Sequence, residues 1–143
     1  MRKRLSLLLA LCALLPAACA FAQPIEVDGA WIRLLPGDLP LAGYFTLHNG
    51  GSRTLKLIGA SSPAFRRIEL HHSMNMHGME KMVPVREITI PAGGNLAFAP
   101  GGYHLMLWRA RPFRVGGKIP VTLKFSGGRT LKVEFLVKSA AGD

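Results

Sequence analysis

The amino-acid sequence predicts an all-β domain folded as a sandwich or barrel. Short runs rich in valine, isoleucine, phenylalanine and tyrosine recur between glycine, proline and asparagine residues, as strands joined by turns do. No segment of ten or more residues carries the apolar period of a helix. Strands are predicted at residues 30–33, 44–48, 55–60, 67–71, 82–85, 87–90, 95–98, 103–108, 119–125 and 130–137.

The chain opens with the features of a secretory signal peptide. Three basic residues at positions 2–4 precede an apolar run at 5–15, and small residues follow as far as Ala22. The apolar run is too short to span a bilayer, and no later run approaches the roughly 18 apolar residues that a spanning helix needs. We therefore expect a signal peptide at 1–22 and one exported domain at 23–143, with no transmembrane segment in the mature chain.

Both cysteines of the chain, Cys12 and Cys19, lie in this leader. The residues before Cys19 roughly resemble the motif of a lipidated cysteine, although Pro16, three residues earlier, argues against lipidation. Cleavage after Ala22 would remove both thiols, so the mature domain is expected to have neither a disulfide nor a cysteine ligand.

The mature domain is predicted to be basic. The chain has 18 Lys and Arg and 8 Asp and Glu; three of the basic residues lie in the leader, which leaves 15 against 8, or a net charge near +7. Such a charge favours acidic partners or anionic surfaces, and a solvated basic surface is the simplest explanation. Nucleic acid is not expected as a partner, because the basic residues are scattered and the protein is exported.

Histidine and methionine are concentrated in one part of the chain. All five methionines after Met1, and four of the five histidines, lie between residues 71 and 106. Ten residues separate His71 from Met82, and twenty-one separate Met82 from His104. One further residue separates His104 from Met106. Core packing is the usual role of methionine, but it does not predict such clustering.

Strand alternation directs these side chains away from the predicted core. Successive residues of a strand point to opposite faces, and in each strand the neighbouring leucine, isoleucine or valine residues take the buried positions. Thioether sulfur is a soft, neutral ligand, and imidazole binds several transition metals, so two of each indicate Cu(I). The predicted ligands are His71, Met82, His104 and Met106.

The segment 72–79 joins two of the predicted strands and is rich in the same donor types. It is expected to be a loop that serves as an auxiliary capture site or as a flexible lid over the first site; a mobile loop with incidental methionines is the alternative. His72 lies in core phase if the strand continues, which favours His71 as the ligand. The candidate auxiliary ligands are His72, Met74, Met76, His77 and Met79.

These motifs resemble the periplasmic copper chaperones of the PCuAC type. The family pattern is His or Met, ten residues, Met, twenty-one residues, His, one residue, Met, and this chain fits it without a gap. The resemblance extends over most of the mature chain. It includes Trp31-Ile32-Arg33, Ala42-Gly43-Tyr44-Phe45, Glu69-Leu70-His71, Lys81-Met82, the Ile-Pro-Ala-Gly-Gly motif at 90–94 and the Pro-Gly-Gly-Tyr-His-Leu-Met motif at 100–106.

The resemblance implies a cupredoxin-like Greek-key β-barrel that binds one Cu(I) at an exposed His/Met site. It also implies delivery toward the binuclear copper centre in the copper subunit of cytochrome c oxidase, often alongside a Sco-type thiol protein. This chain differs from many relatives in its donor-rich segment 72–79, and it lacks the Met/His-rich C-terminal extension that some carry. Whether a second copper binds, as Cu(I) or Cu(II), is left open.

Other functions fit the sequence less well. Catalytic copper favours several histidines and an open position, and thioethers discourage redox cycling, so an enzyme is not expected. A blue-copper electron carrier needs a cysteine thiolate, which the mature domain is expected to lack. A copper-buffering or resistance protein would use the same ligands, and sequence does not separate storage from delivery. A β-sandwich interaction module without metal would tolerate substitution of His104 or Met106.

Overall fold

The computed structural model describes residues 24–143; the predicted signal peptide and both cysteines lie outside the described residues. Within them the prediction of an all-β fold is confirmed. A single 3-10 turn at Ser126–Gly128 is the only helical element of this region, and no helix there is long and apolar enough to cross a membrane. The ten strands are β1 Ile25–Arg33, β2 Leu41–Asn49, β3 Leu55–Ser61, β4 Phe65–Met76, β5 Met79–Pro84, β6 Ile88–Ile90, β7 Asn95–Phe98, β8 Tyr103–Arg109, β9 Lys118–Phe125 and β10 Thr130–Lys138.

The strands hydrogen-bond in the order β5-β4-β8-β7-β2-β1-β10-β9-β3-β6, and β8 also pairs with β2. Strands β1 and β10 are parallel, as are β7 and β8, and the other pairs are antiparallel. Strands far apart in sequence are therefore neighbours in the sheet. In particular, β8 lies between β4 and β2, and β4 carries β5 at the edge.

One hydrophobic core collects alternate residues from most of the strands. Phe45 stacks on Phe98 with ring centroids 4.3 Å apart, and Phe135 meets Phe45 edge-on at 5.7 Å. On the strands near the methionines, Leu70, Leu105 and Leu107 point into this core and are almost fully buried. The phase predicted for β4 and β8 is therefore the observed core phase. The expectation of a buried valine on β5 is wrong, because Val83 is 39% exposed on this edge strand.

The structure extends several predicted strands. The first strand is predicted to begin at residue 30; instead β1 begins at Ile25 and passes through a register shift between Asp28 and Trp31. Gly29 adopts a φ of +60° there, which glycine tolerates at no steric cost. The Asp-Gly pair thus marks a β-bulge within one continuous strand.

The prediction of a loop at 72–79 is wrong. Strands β4 and β5 form a hairpin in which Met76 pairs with Met79, and only His77 and Gly78 form the turn. These two residues have φ values of +54° and +78°, as a tight hairpin turn requires. The Asn75 side-chain oxygen accepts a 3.1 Å hydrogen bond from the Gly78 amide and closes the turn.

Candidate metal centre

The pairing of β4 with β5 on one side and with β8 on the other brings the four predicted ligands onto one face of the sheet. His71 of β4 lies directly opposite His104 of β8, and Met82 of β5 lies opposite Ser73 of β4. Met106 follows His104 on the same face of β8 and lies opposite Glu69. Because side chains alternate along each strand, all four point away from the leucines that fill the core.

Burial differs sharply among these four side chains. His71 and His104 are only 8% and 4% exposed, whereas Met82 is 55% exposed. The resemblance to the copper chaperones implies an exposed site, yet only its Met82 side is open to solvent. The His71 ring is flanked by Trp108, which it meets edge-on at a centroid distance of 6.5 Å.

Hydrogen bonds assign a proton to one nitrogen of each histidine. His104 Nδ1 lies 3.3 Å from the Gly102 carbonyl, and His71 Nε2 lies 2.9 Å from Glu69 Oε2. A carbonyl and a carboxylate only accept hydrogen bonds, so these two nitrogens donate. The lone pairs then belong to His71 Nδ1 and His104 Nε2.

His71 Nδ1 is buried and has no hydrogen-bond partner. A buried polar atom without a partner costs free energy, and native proteins keep such atoms rarely and often for a functional reason. A lone pair on an imidazole nitrogen is also what a metal ion requires. This orphaned atom, beside a second imidazole and two thioethers, fits a soft transition metal.

Two charged side chains of β4, Glu69 and Arg67, hold the His71 ring in place through linked contacts. Glu69, which accepts the His71 hydrogen bond, also forms an ion pair with Arg67, with 3.3 Å between Arg67 Nε and Glu69 Oε1. The Arg67 guanidinium stacks 3.7 Å from the centre of the Trp108 ring. Metal-binding histidines commonly donate their other N–H to a carboxylate, which fixes the ring, and Glu69 holds that position here.

The electrostatics of the site favour the neutral form of His104. Burial lowers the pKa of His104 below its ordinary value, and nearby His71 lowers it further, while the Gly102 hydrogen bond and Glu80 act in the opposite direction. Burial likewise raises the pKa of Tyr44, and Glu80 adds to that rise. A neutral imidazole is the form that binds a metal, so the lowered pKa of His104 favours metal binding at that residue over protonation.

Glu80 of the hairpin therefore acts on residues of both β8 and β2. Glu80 lies two residues before Met82, so the side chains of both residues point to the same face of β5. It contributes a negative charge near a set of otherwise neutral ligands.

The auxiliary candidates occupy the opposite face of the hairpin. Met74, Met76 and Met79 alternate with the site residues and are 42%, 41% and 62% exposed. His72 shares their face but stacks on Tyr103 at a centroid distance of 4.3 Å, and His77 occupies the turn. These side chains do not cover the His71–His104 pair.

Sequence reasoning missed three residues beside the site, namely Arg67, Glu69 and Glu80. Each lies two or four residues from a predicted ligand, so the alternation that selects His71 and Met82 also selects them. Within residues 24–143, His, Cys, Asp and Glu side chains alone form no group of three or more that could hold a metal ion.

Comparison with known proteins identifies relatives over most of the described chain. The family described as "Putative lipoprotein LpqE-like" matches residues 25–137. Protein Lxx21020 of Leifsonia xyli subsp. xyli, named in the same terms, is 37% identical over 123 residues, which are 85% of this chain and 74% of the relative. Protein RP573 of Rickettsia prowazekii is 34% identical over 86 residues, 59% of this chain and about half (48%) of its own length.

Solved structures share the fold. The solution structure of Cu(I)-DR1885 from Deinococcus radiodurans is 38% identical, with a TM-score of 0.63 over 85% of this chain and 83% of that chain. The copper-bound PCuAC domain from PmoF2 has a TM-score of 0.67 at 24% identity, over 83% of this chain and 97% of that domain. At 24% identity, the comparison with the PmoF2 domain supports the fold alone. That fold is the cupredoxin-like β fold of PCuAC domains.

Proposed function

Because this chain belongs to the LpqE-like family and has the PCuAC-type fold, we propose that it is a periplasmic copper chaperone that binds Cu(I). The lipoprotein name of the family and the signal peptide predicted at 1–22 support export. The bound copper is cargo to be passed on. The proposed ligands are His71, Met82, His104 and Met106.

The buried, unpartnered Nδ1 atom of His71 carries this proposal. It lies on a ring whose centroid is 5.7 Å from that of His104, and the two rings are held by hydrogen bonds through their other nitrogens. Two imidazole rings on adjacent strands are thus held in place, and each has a second nitrogen available to an ion.

The chemistry of the ligands selects Cu(I) and favours its transfer. Thioethers are soft ligands and bind hard cations poorly, which disfavours Mg²⁺ and Ca²⁺. Four neutral ligands leave the charge of the ion uncompensated, so retention is weaker than by thiolates. The exposed side of the site at Met82 provides access for an acceptor, so we propose that Met82 is the first ligand to be displaced.

The proposed recipient is the copper subunit of cytochrome c oxidase, with a Sco-type thiol protein as a partner. The family resemblance supports this recipient, and the open side of the site supports transfer. We propose binding and transfer rather than catalysis, because thioether ligation favours the reduced ion. Copper buffering without dedicated delivery is the alternative, and it requires the same ligands.

The first experiment titrates Cu(I) without oxygen into residues 23–143 in competition with a coloured Cu(I) chelator. Wild type is compared with the His104→Ala, Met106→Ala double variant and with His48→Ala. His48 is a suitable control because it lies on β2, where its ring bonds to Asn95 and Asp28. We expect tight one-to-one binding at the primary site, lost in the double variant and kept in His48→Ala. Binding that is indifferent to the double substitution would overturn the ligand assignment.

A second experiment separates delivery from buffering. The copper-loaded protein is mixed with an apo Sco-type protein or with the soluble copper domain of the oxidase subunit, and metal transfer is followed by NMR. Rapid, complete transfer supports a chaperone, whereas retention of copper in the presence of excess acceptor supports a buffer.

A further inference from the structure

The hairpin carries a second group of soft donors on the face that points away from the proposed copper site. Met76 and Met79 are a cross-strand pair, and Met74 lies two residues before Met76 on the same face of β4. Directly opposite side chains in a sheet have Cβ atoms roughly 5 Å apart, and diagonal ones roughly 7–8 Å. Since methionine has three rotatable bonds and is unbranched, these three sulfur atoms can converge on one point.

These methionines do not serve the core. All three are more than 40% exposed, and none belongs to the buried cluster or to the residues packed against it. An exposed strand position near a hairpin turn ordinarily carries a polar residue, and the alternate residues Asn75 and Glu80 show that pattern. Packing therefore does not account for three thioethers at adjacent exposed positions.

We propose that Met74, Met76 and Met79 form a second binding site for a soft monovalent cation, Cu(I) or Ag(I). Three thioethers suit such an ion and bind hard cations poorly. His72 is not included, because its ring stacks on Tyr103. The site uses only side chains of the hairpin, so it does not depend on the residues of the His71–His104 pair.

Strand alternation gives the two faces of the hairpin opposite charges. Glu80 lies on the face of Met82, and Lys81 lies on the methionine face, where it pairs directly with Met74. A cation is therefore attracted on the first face and repelled on the second. Because the second site also lacks imidazole, it binds its ion more weakly than the primary site at equilibrium and exchanges it faster.

A weak outer site and a tighter inner site on one hairpin suit stepwise loading. An ion captured at the exposed methionines is held on the same two strands that carry His71 and Met82. The proposed sequence is capture on the outer face, then occupation of the primary site.

The test uses the His104→Ala, Met106→Ala variant, in which the primary site is disabled, and titrates Ag(I) and, without oxygen, Cu(I). Methionine methyl groups labelled with carbon-13 report ligation by NMR. We expect the Met74, Met76 and Met79 methyl signals to shift together and to saturate near one equivalent. Adding Met74→Leu, Met76→Leu and Met79→Leu should abolish this binding, whereas adding Met82→Leu as a matched control should leave it unchanged.

Two results would overturn the second site: unshifted methyl signals, or unchanged binding in the triple leucine variant. Leucine keeps a similar volume, and circular dichroism checks that the hairpin variants fold. Lys81→Gln should tighten the outer site several-fold by removing the repelling charge. The triple leucine substitution in the otherwise wild-type protein should leave primary-site binding intact, so failure of the second site and failure of the proposed copper site are distinguishable.

Discussion

The imidazole rings of His71 and His104 lie directly opposite each other on β4 and β8, with centroids 5.7 Å apart. Both rings are buried, yet they lie on the face opposite the leucine core. The apo protein is destabilised at this site, because one buried ring nitrogen of His71 has no hydrogen-bond partner. Under the proposed function, that cost is recovered when the metal binds.

Glu69 is predicted to act on the metal through His71. Glu69→Ala removes the acceptor of the His71 Nε2 hydrogen bond, and loss of such a supporting group typically costs 10–100-fold in metal affinity. Glu69→Gln keeps an acceptor oxygen and should cost less. The measurement is chelator competition for Cu(I), with Glu87→Gln, an exposed carboxylate paired with Lys56, as the control. Unchanged affinity in Glu69→Ala would contradict the role given to Glu69.

The stability of the apo protein is predicted to fall as the pH falls below about 6.5. Burial lowers the pKa of His104 in the folded state, so below the ordinary histidine pKa the unfolded chain binds a proton that the folded one does not. The contribution of His104 is fully present above about 6.5 and is lost as pH falls toward its lowered pKa.

Urea denaturation between pH 7.5 and 5.5 measures this dependence. His104→Gln keeps a polar side chain of similar size without a titrating ring, so its midpoint should vary less with pH over that range. An equal pH dependence in the two proteins would exclude His104 as the source.

Asn49 is predicted to be the polar residue whose loss most harms stability. Its buried side-chain amide donates to the carbonyls of Arg53, Ile90 and Pro91, and its oxygen accepts from the Gly51 amide. Asn49→Ala leaves these groups without partners, which should cost about 2–4 kcal/mol.

Thermal or urea unfolding measures the loss, and Asn75→Ala is the matched control. Asn75 is exposed and makes a single hydrogen bond in the hairpin turn, so its substitution should cost less than about 1 kcal/mol. Equal effects of the two substitutions would show that burial of the Asn49 network contributes little.

Substitution of Gly78 is predicted to destabilise the hairpin turn locally. Its φ of +78° is unfavourable for residues with a side chain, so Gly78→Ala should weaken the turn by about 1–2 kcal/mol. Because β5 is at the sheet edge, the effect should appear as faster hydrogen exchange of β5 amides rather than as global unfolding. Gly59→Ala, in open space on β3, is the control, and unchanged β5 exchange in Gly78→Ala would contradict the prediction.

Alternation along single strands was readable from the sequence because it depends only on local backbone geometry. Leu105 and Leu107 identify the core face of β8, and His104 and Met106 must then share the other face. The same rule would have identified Glu69 beside His71. The turn at His77 was not recognised because the donor-rich segment was interpreted as a loop, although His-Gly accepts the positive φ values that a tight hairpin turn needs.

The sequence by itself determined that the domain is all-β, which donor types it carries, and that His71, Met82, His104 and Met106 point away from the core. Only the tertiary structure decided that β4 pairs with β8 in the register that sets His71 opposite His104, across 32 intervening residues. It also decided that both rings are buried while Met82 is exposed. Local patterns do not encode these features, because register and burial arise from the simultaneous packing of strands distant in sequence.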